Sequence, residues 1–156
     1  MDLTIKFPDK SEVLNVRVAI IMQTKNGFVL SHRKSGGYYF AIGGRAKLGE
    51  SSITSAVREV SEETGLTLEE KDFKLISIIE NFWTSSHEKV NDQDWKVHEI
   101  NYVFTVPMQE KIFDVVDSAE IVEIPKEQLT NLDIRPEIIK KLILENKLAE
   151  FNHFVV

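Results

Sequence analysis

Apolar positions fall into short runs divided by polar punctuation, the pattern of strands and turns interrupted by two helical segments. Residues 2–7 alternate weakly and stop at Pro8, which predicts a short edge strand or extended arm. Residues 13–22 form a stronger strand. Its apolar run from Val18 to Met22 is continuous, so burial on both faces is expected. Asn26-Gly27 then supplies a hairpin turn, and residues 28–32 return as the partner strand. Further strands are predicted over 73–83, over 98–106, where Pro107 ends the run, and over 120–124. The polar stretch 84–96 reads as the loop between the first two of these. Residues 125–129 suit a helical turn, and Pro136 stands near the start of a last helix whose buried stripe is Ile138, Ile139, Leu142 and Ile143. The apolar tail 151–156 is expected to pack back on the domain or on a partner subunit.

The other helical segment lies within residues 44–66 and carries most of the candidate chemistry. Ile53, Ala56, Val57, Val60 and Thr64 follow the spacing of a buried helical stripe. Ser51 or Ser52 can cap its start, and Gly65 suits a left-handed residue at its end. A helix turns about 100° per residue, so Glu59, Glu62 and Glu63 share a different face from the apolar stripe. Like charges at that spacing disfavour a helix by roughly 0.2–0.5 kcal/mol per pair, and Arg58 offsets part of this by pairing with Glu62. Such a row is explained best by a hard divalent cation, Mg²⁺ above all, which prefers carboxylate and carbonyl oxygen.

Written out, the segment places Gly44, Glu50, Arg58, Glu59, Glu62, Glu63 and Gly65 at fixed intervals, with apolar Val60 and Leu66 between and after them. This resembles the signature box of the Nudix hydrolases (the MutT-like enzymes), with every defining position filled. The resemblance implies an α/β/α sandwich with a mixed β-sheet between helices. It also implies hydrolysis of a pyrophosphate bond in a nucleoside diphosphate linked to another moiety, a nucleoside triphosphate or a nucleotide sugar foremost. On that reading Gly44 (through its carbonyl), Glu50, Glu59, Glu62 and Glu63 supply the metal shell, with Mn²⁺ a possible substitute for Mg²⁺. Glu59 is a further ligand or the general base, Glu63 a catalytic ligand, and Arg58 holds the glutamates by charge-assisted hydrogen bonds. Some members take the base from a later loop, for which Glu99, Glu110, Asp114, Asp117 and Glu120 are available. Ile42 and Lys47 depart from the family's usual residues beside the glycine pair, which bears on the loop and not on the carboxylates.

Residues for the rest of a nucleotide are spread more widely. Arg33, in the cluster His32-Arg33-Lys34, suits phosphate because a guanidinium grips it bidentately. Tyr38, Tyr39, Phe82, Trp83 and Trp95 are available as stacking platforms, with Tyr39 and Trp83 the preferred pair. Marks of particular subfamilies, such as a proline beyond the box, are missing from the chain between Pro8 and Pro107. The alternative to an enzyme is a Nudix-like sensor that binds a nucleotide without cleaving it. A diphosphate-isomerising enzyme of related fold would want a catalytic cysteine, and the chain has none.

Composition narrows the setting. At 156 residues, with 42% apolar and 28% charged, one domain over residues 1–156 is expected. A net charge of −6 without a long basic run argues against a nucleic-acid polymer as partner. The absence of cysteine excludes thiolate metal sites and is compatible with a reducing compartment. With no apolar leader and no run of about 18 apolar residues, a cytoplasmic location and no membrane partner are expected. A homodimer is the expectation carried by family habit and the apolar tail.

Overall fold

A computed structural model describes residues 1–90, 93–112 and 120–156. Asp114 and Asp117 of the candidate bases lie outside the described residues. The strands are β1 (Thr4–Phe7), β2 (Glu12–Thr24), β3 (Gly27–Arg33), β4 (Tyr38–Ala41), β5 (Lys74–Val90), β6 (Gln93–Thr105), β7 (Glu120–Ile124) and β8 (Asn152–Val155). The helices are α1 (Ser52–Thr64) and α2 (Glu137–Leu144). They pack on opposite faces of a mixed sheet in the order β4-β3-β2-β6-β5-β8, with β1 added to β2 and β7 to β3. β2 runs parallel to β6, and β8 parallel to β5, while the remaining pairs are antiparallel.

The continuous apolar run of β2 follows from this layering. Successive side chains of a strand point to opposite faces. Val18, Ile20 and Met22 pack with Ala56 and Val60 of α1, while Ala19 and Ile21 pack with Ile139, Leu142 and Ile143 of α2. β6 divides in the same way, Phe104 toward α1 and Val103 toward α2. The hairpin forms as expected, but its turn residues are Lys25 and Asn26: Thr24 pairs with Gly27, which opens β3 with φ of 142°. A side chain there would also meet the carbonyl of Ile124 at 2.2 Å, so the close approach of β7 requires glycine as well.

One expectation is corrected. Residues 84–96 do not form a polar loop: β5 continues to Val90 and β6 begins at Gln93, so the hairpin extends well past Trp83. The apolar tail packs back on the domain, as expected, as strand β8, whose Phe154 lies beside Ile79 of β5. Among the described residues no helix is long and apolar enough to cross a membrane. Ile79 is fully buried at the centre of the α2-side core. Ile79→Ala is expected to destabilise the fold by about 3 kcal/mol, measured by urea denaturation.

Candidate active site

The site begins with the way α1 is started and stopped. Ser51 Oγ accepts a hydrogen bond from Thr54 N (3.1 Å), and Gly65, at φ 69°, closes the helix with its N–H on Ser61 O. Between these caps Ala56 and Val60 fix the helix against the sheet. Arg58 and the three glutamates are thereby presented beside the segment Gly43–Arg45, which runs along β2: Gly44 O accepts from Val18 N (2.9 Å), and Ala46 N donates to Val16 O (3.0 Å).

Arg58 gathers the carboxylates. Its Nε and Nη2 donate to Glu50 at 3.1 Å, its Nη1 donates to Glu59 at 2.7 Å and to Glu62 at 3.0 Å, and Nη2 also donates to Arg45 O at 3.1 Å. Planar guanidinium donors suit this role because they diverge in one plane toward several acceptors. Glu50 accepts further bonds from Ser55 Oγ (2.9 Å) and Lys47 N (3.3 Å). Glu63 turns instead to the loop, where Gly43 N donates to it at 3.0 Å. Arg58 thus pairs with Glu62 as expected, and also with Glu50 and Glu59.

The glycines let the two segments touch. Gly43 has φ of 145°, and a Cβ there would meet Val18 O at 2.2 Å. At Gly44 a Cβ would fall 2.5 Å from Glu59 Oε1, so the bare backbone makes room for that carboxylate. Gly44 O has one lone pair beyond the bond from Val18.

The charges are unequal. Hydrogen bonding from Arg58, helped by Ser55 and the Lys47 amide and opposed by burial, brings the Glu50 pKa from its ordinary 4.5 to about 2. Burial raises that of Glu59, although Arg58 opposes the shift. Glu59 is only 9% exposed, whereas Glu62 is exposed and is also approached by Lys47 Nζ at 3.8 Å. For Arg58 burial works downward, but the bonds to Glu50 and Glu59 hold its guanidinium above the ordinary value.

A metal's fit is judged from the donors. All are carboxylate or carbonyl oxygens, the set a hard divalent cation takes. Gly44 provides the space in which Glu59 reaches the backbone. Among the described residues, no three His, Cys, Asp or Glu side chains already converge on one point. Glu50, Glu59 and Glu62 fan around Arg58 instead, and Glu63 bonds to the Gly43 amide.

Next to this cluster the sheet opens into a cleft of about 730 Å³, reached by Gly43. Its floor includes Arg17 of β2, Glu99 and Asn101 of β6, and Asn81 of β5. Tyr38, Phe40 and Trp83 line it too, as do the first residues of α2 and Val156. Glu99 is buried, with Arg17 Nε 3.7 Å away; burial raises its pKa, and Arg17 and Arg45 oppose the rise.

The predicted substrate residues separate here. Trp83 lines the cleft. Tyr39 does not: its ring stacks on His32 with centroids 4.5 Å apart, and its neighbours Tyr38 and Phe40 line the cleft instead. Arg33 is exposed at the end of β3, outside the cleft lining. Phe82 stacks on His98, and Trp95 is buried, both outside the lining. Of the described alternative bases, Glu99 alone lines the cleft. Glu120 meets His32 (3.3 Å) and Lys34 (3.6 Å), and Glu110 is exposed next to Gln109, which bridges to the far end of β2. Arg17 and Asn101 were missed. Each is a polar residue inside an otherwise apolar strand core, which is the signal that could have found them.

Two helices on opposite faces of a mixed sheet, one of them acidic and beside a cleft, define the class of α/β domain. The family model described as NUDIX domain matches residues 13–144. The chain belongs to the Nudix family. The fold is shared with the mutator MutT protein from Bacillus halodurans, at 16% identity and a TM-score of 0.67, over 90% of each chain. It is shared with a NUDIX hydrolase from Nitrosomonas europaea, at 16% identity and a TM-score of 0.61, over 91% of this chain and 78% of that one. An ADP-ribose pyrophosphatase from Streptococcus suis is also similar, at 14% identity and a TM-score of 0.56, over 91% and 98%. No curated protein matches the chain in sequence.

Because Glu50 has its pKa lowered, its bond to Arg58 contributes stability above pH 4.5, and this is lost as the pH falls toward 2. Glu50→Gln is expected to cost about 1–3 kcal/mol at pH 7 and much less near pH 2. Glu59 has the opposite sign, since its ionised form pays for burial. Glu59→Gln is expected to raise the urea midpoint at pH 7, in the absence of divalent ions.

Proposed function

We propose that the chain cleaves a pyrophosphate bond in a nucleoside diphosphate linked to another moiety, a nucleoside triphosphate or a nucleotide sugar, with Mg²⁺ as the cofactor. Its class, a pyrophosphohydrolase acting on phosphorus-containing anhydrides, follows from the family. The observation that carries the proposal is the Arg58-centred carboxylate cluster standing where the cleft reaches Gly43. The cleft volume of about 730 Å³ is in the range of small-molecule sites.

Glu62, Glu63 and the Gly44 carbonyl would hold the cation, with Glu50 behind them and Glu59 left to act as the base. When bound, it supplies phosphate charge neutralisation and a more acidic water. Arg58 keeps Glu50 ionised and limits where Glu59 and Glu62 can point. Arg17, at the cleft floor, offers a guanidinium to the phosphate oxygens. In the reaction a water oxygen bonds to one phosphorus while the bridging P–O bond breaks. The proton leaves that water for Glu59, whose burial raises its affinity for a proton. Glu99 is the competing base, favoured by its own burial in the cleft. The non-catalytic sensor gains no support from the geometry, because binding alone does not need the full set of glutamates around one arginine.

A panel of nucleoside diphosphate compounds incubated with Mg²⁺ or Mn²⁺ tests the proposal, with phosphate read after phosphatase treatment. Turnover of at least one class is expected, and a blank across the panel would favour the sensor. Glu63→Gln is expected to lower turnover at least about 100-fold while leaving the metal-free fold as stable as before. General-base loss costs about 10²–10⁴-fold in kcat. Glu59→Gln should show that loss, and Glu99→Gln should not; the reverse result moves the base to Glu99.

A further inference from the structure

One wall of the cleft carries a guanidinium that the fold holds in place by three means. The first is backbone pairing. Ile134 is buried and bridges to Tyr39, with Tyr39 N donating to Asp133 O (2.8 Å) and Arg135 N donating to Tyr39 O (2.8 Å). Side chains alternate along an extended chain, so Asp133 and Arg135 share the side opposite Ile134. The second is Asp133 itself. Arg135 Nε donates to both of its carboxylate oxygens at 3.1 Å, and Nη2 donates to one of them at 2.7 Å. The third is Tyr38, over whose ring the guanidinium carbon lies, 4.3 Å from the centroid. Tyr38 is in turn fixed edge-on to Phe40, with centroids 5.2 Å apart, and against Gly36, where a Cβ would meet its ring at 2.0 Å.

This guanidinium suits a different ligand group from Arg17. Its Nε–Nη2 fork, one of those that grip a phosphate bidentately, is already taken by a carboxylate. The same carboxylate offsets its charge, which weakens its pull on a further anion. What stays available is the flat face: a guanidinium is weakly hydrated and stacks on aromatic planes. Arg135 remains 55% exposed, and it lines the cleft together with Tyr38 and Trp83. A side chain already ordered by its neighbours loses little freedom when a ligand settles on it. Arg17 stands at the other end. It pairs with Arg45 of the box loop, and its Nε is 3.7 Å from Glu99, beyond hydrogen-bond distance. Tyr38 opens β4, whereas Gly43 lies two residues past the end of that strand. A nucleotide with its phosphates toward Gly43 and Arg17 therefore has its base toward Arg135.

We propose that Arg135 is the residue against which the substrate's nucleobase stacks, with Asp133 and Tyr38 holding its plane. The inference rests on reading the cleft as a nucleotide pocket. It deepens that reading by orienting the nucleotide in the cleft and by requiring that the substrate carry an aromatic base. Arg135 takes no part in the proton transfer.

The test is isothermal titration calorimetry of the full chain with Mg²⁺ present, so that it does not depend on turnover. AMP, GMP, CMP, UMP and ribose 5-phosphate are titrated; the last has the phosphate and the sugar but no base. In the wild-type chain at least one mononucleotide is expected to bind about tenfold or more tightly than ribose 5-phosphate. In Arg135→Ala that ratio should fall to within about threefold, through weaker binding of the mononucleotide alone. Arg135→Lys should lose it as fully, because a lysine keeps the charge and lacks the plane. Should Arg135→Ala fail to fold, as judged by its urea transition, Arg135→Lys is read for the same loss. Equal binding of mononucleotides and ribose 5-phosphate to the wild-type chain overturns the proposal. So does a preference that survives in Arg135→Lys, or a loss shared by ribose 5-phosphate, which would make Arg135 a phosphate contact. Failure to hydrolyse any compound while the preference holds would instead overturn the catalytic reading alone.

Discussion

The arrangement depends on the hydrogen bonds that radiate from Arg58. Without that guanidinium, Glu50, Glu59 and Glu62 would be three carboxylates crowded against one turn of helix and a backbone loop. With it, one of them is held ionised and another is kept in place despite burial. The loop–helix–loop therefore stores a high density of negative charge on a rigid element. Oxygen donors packed this closely are the set that a hard divalent cation takes.

The sheet supplies the other half. β2 is sandwiched between two helices over residues 18–22, and this anchors the strand on which Gly43, Gly44 and Arg45 lean. One step earlier the same strand places Arg17 on the cleft floor. The strand thus links α1, which carries the charge, to the cleft, which carries the shape. Loss of packing at Val18 or Ala19 would be felt in both.

Much of this was legible because it is local. The caps of α1, its buried stripe, the Arg58–Glu62 pair and the β2–β3 hairpin are all set by residues within a few positions of each other. What escaped the sequence is non-local or depends on parity. Asn101 and Arg17 become neighbours only through the register of a parallel strand pair, which no periodicity reports. The sequence favours Tyr39 over Tyr38 as a platform and offers no sign of Phe40, because alternation along a four-residue strand decides which of them reach the cleft, and the residues around it do not reveal that phase. The hairpin beyond Trp83 resembles a loop in sequence because residues 84–96 are mostly polar and show no alternation. The tail was correctly expected to pack back, but its pairing with β5 needed the edge that β5 offers.

The most direct test of the metal-site reading is thermal unfolding as a function of Mg²⁺ concentration at constant ionic strength. An ion that neutralises the Glu59, Glu62 and Glu63 face binds the folded chain more tightly than the unfolded one, so Tm is expected to rise and then saturate. A Tm that stays flat or falls through millimolar Mg²⁺ would contradict it.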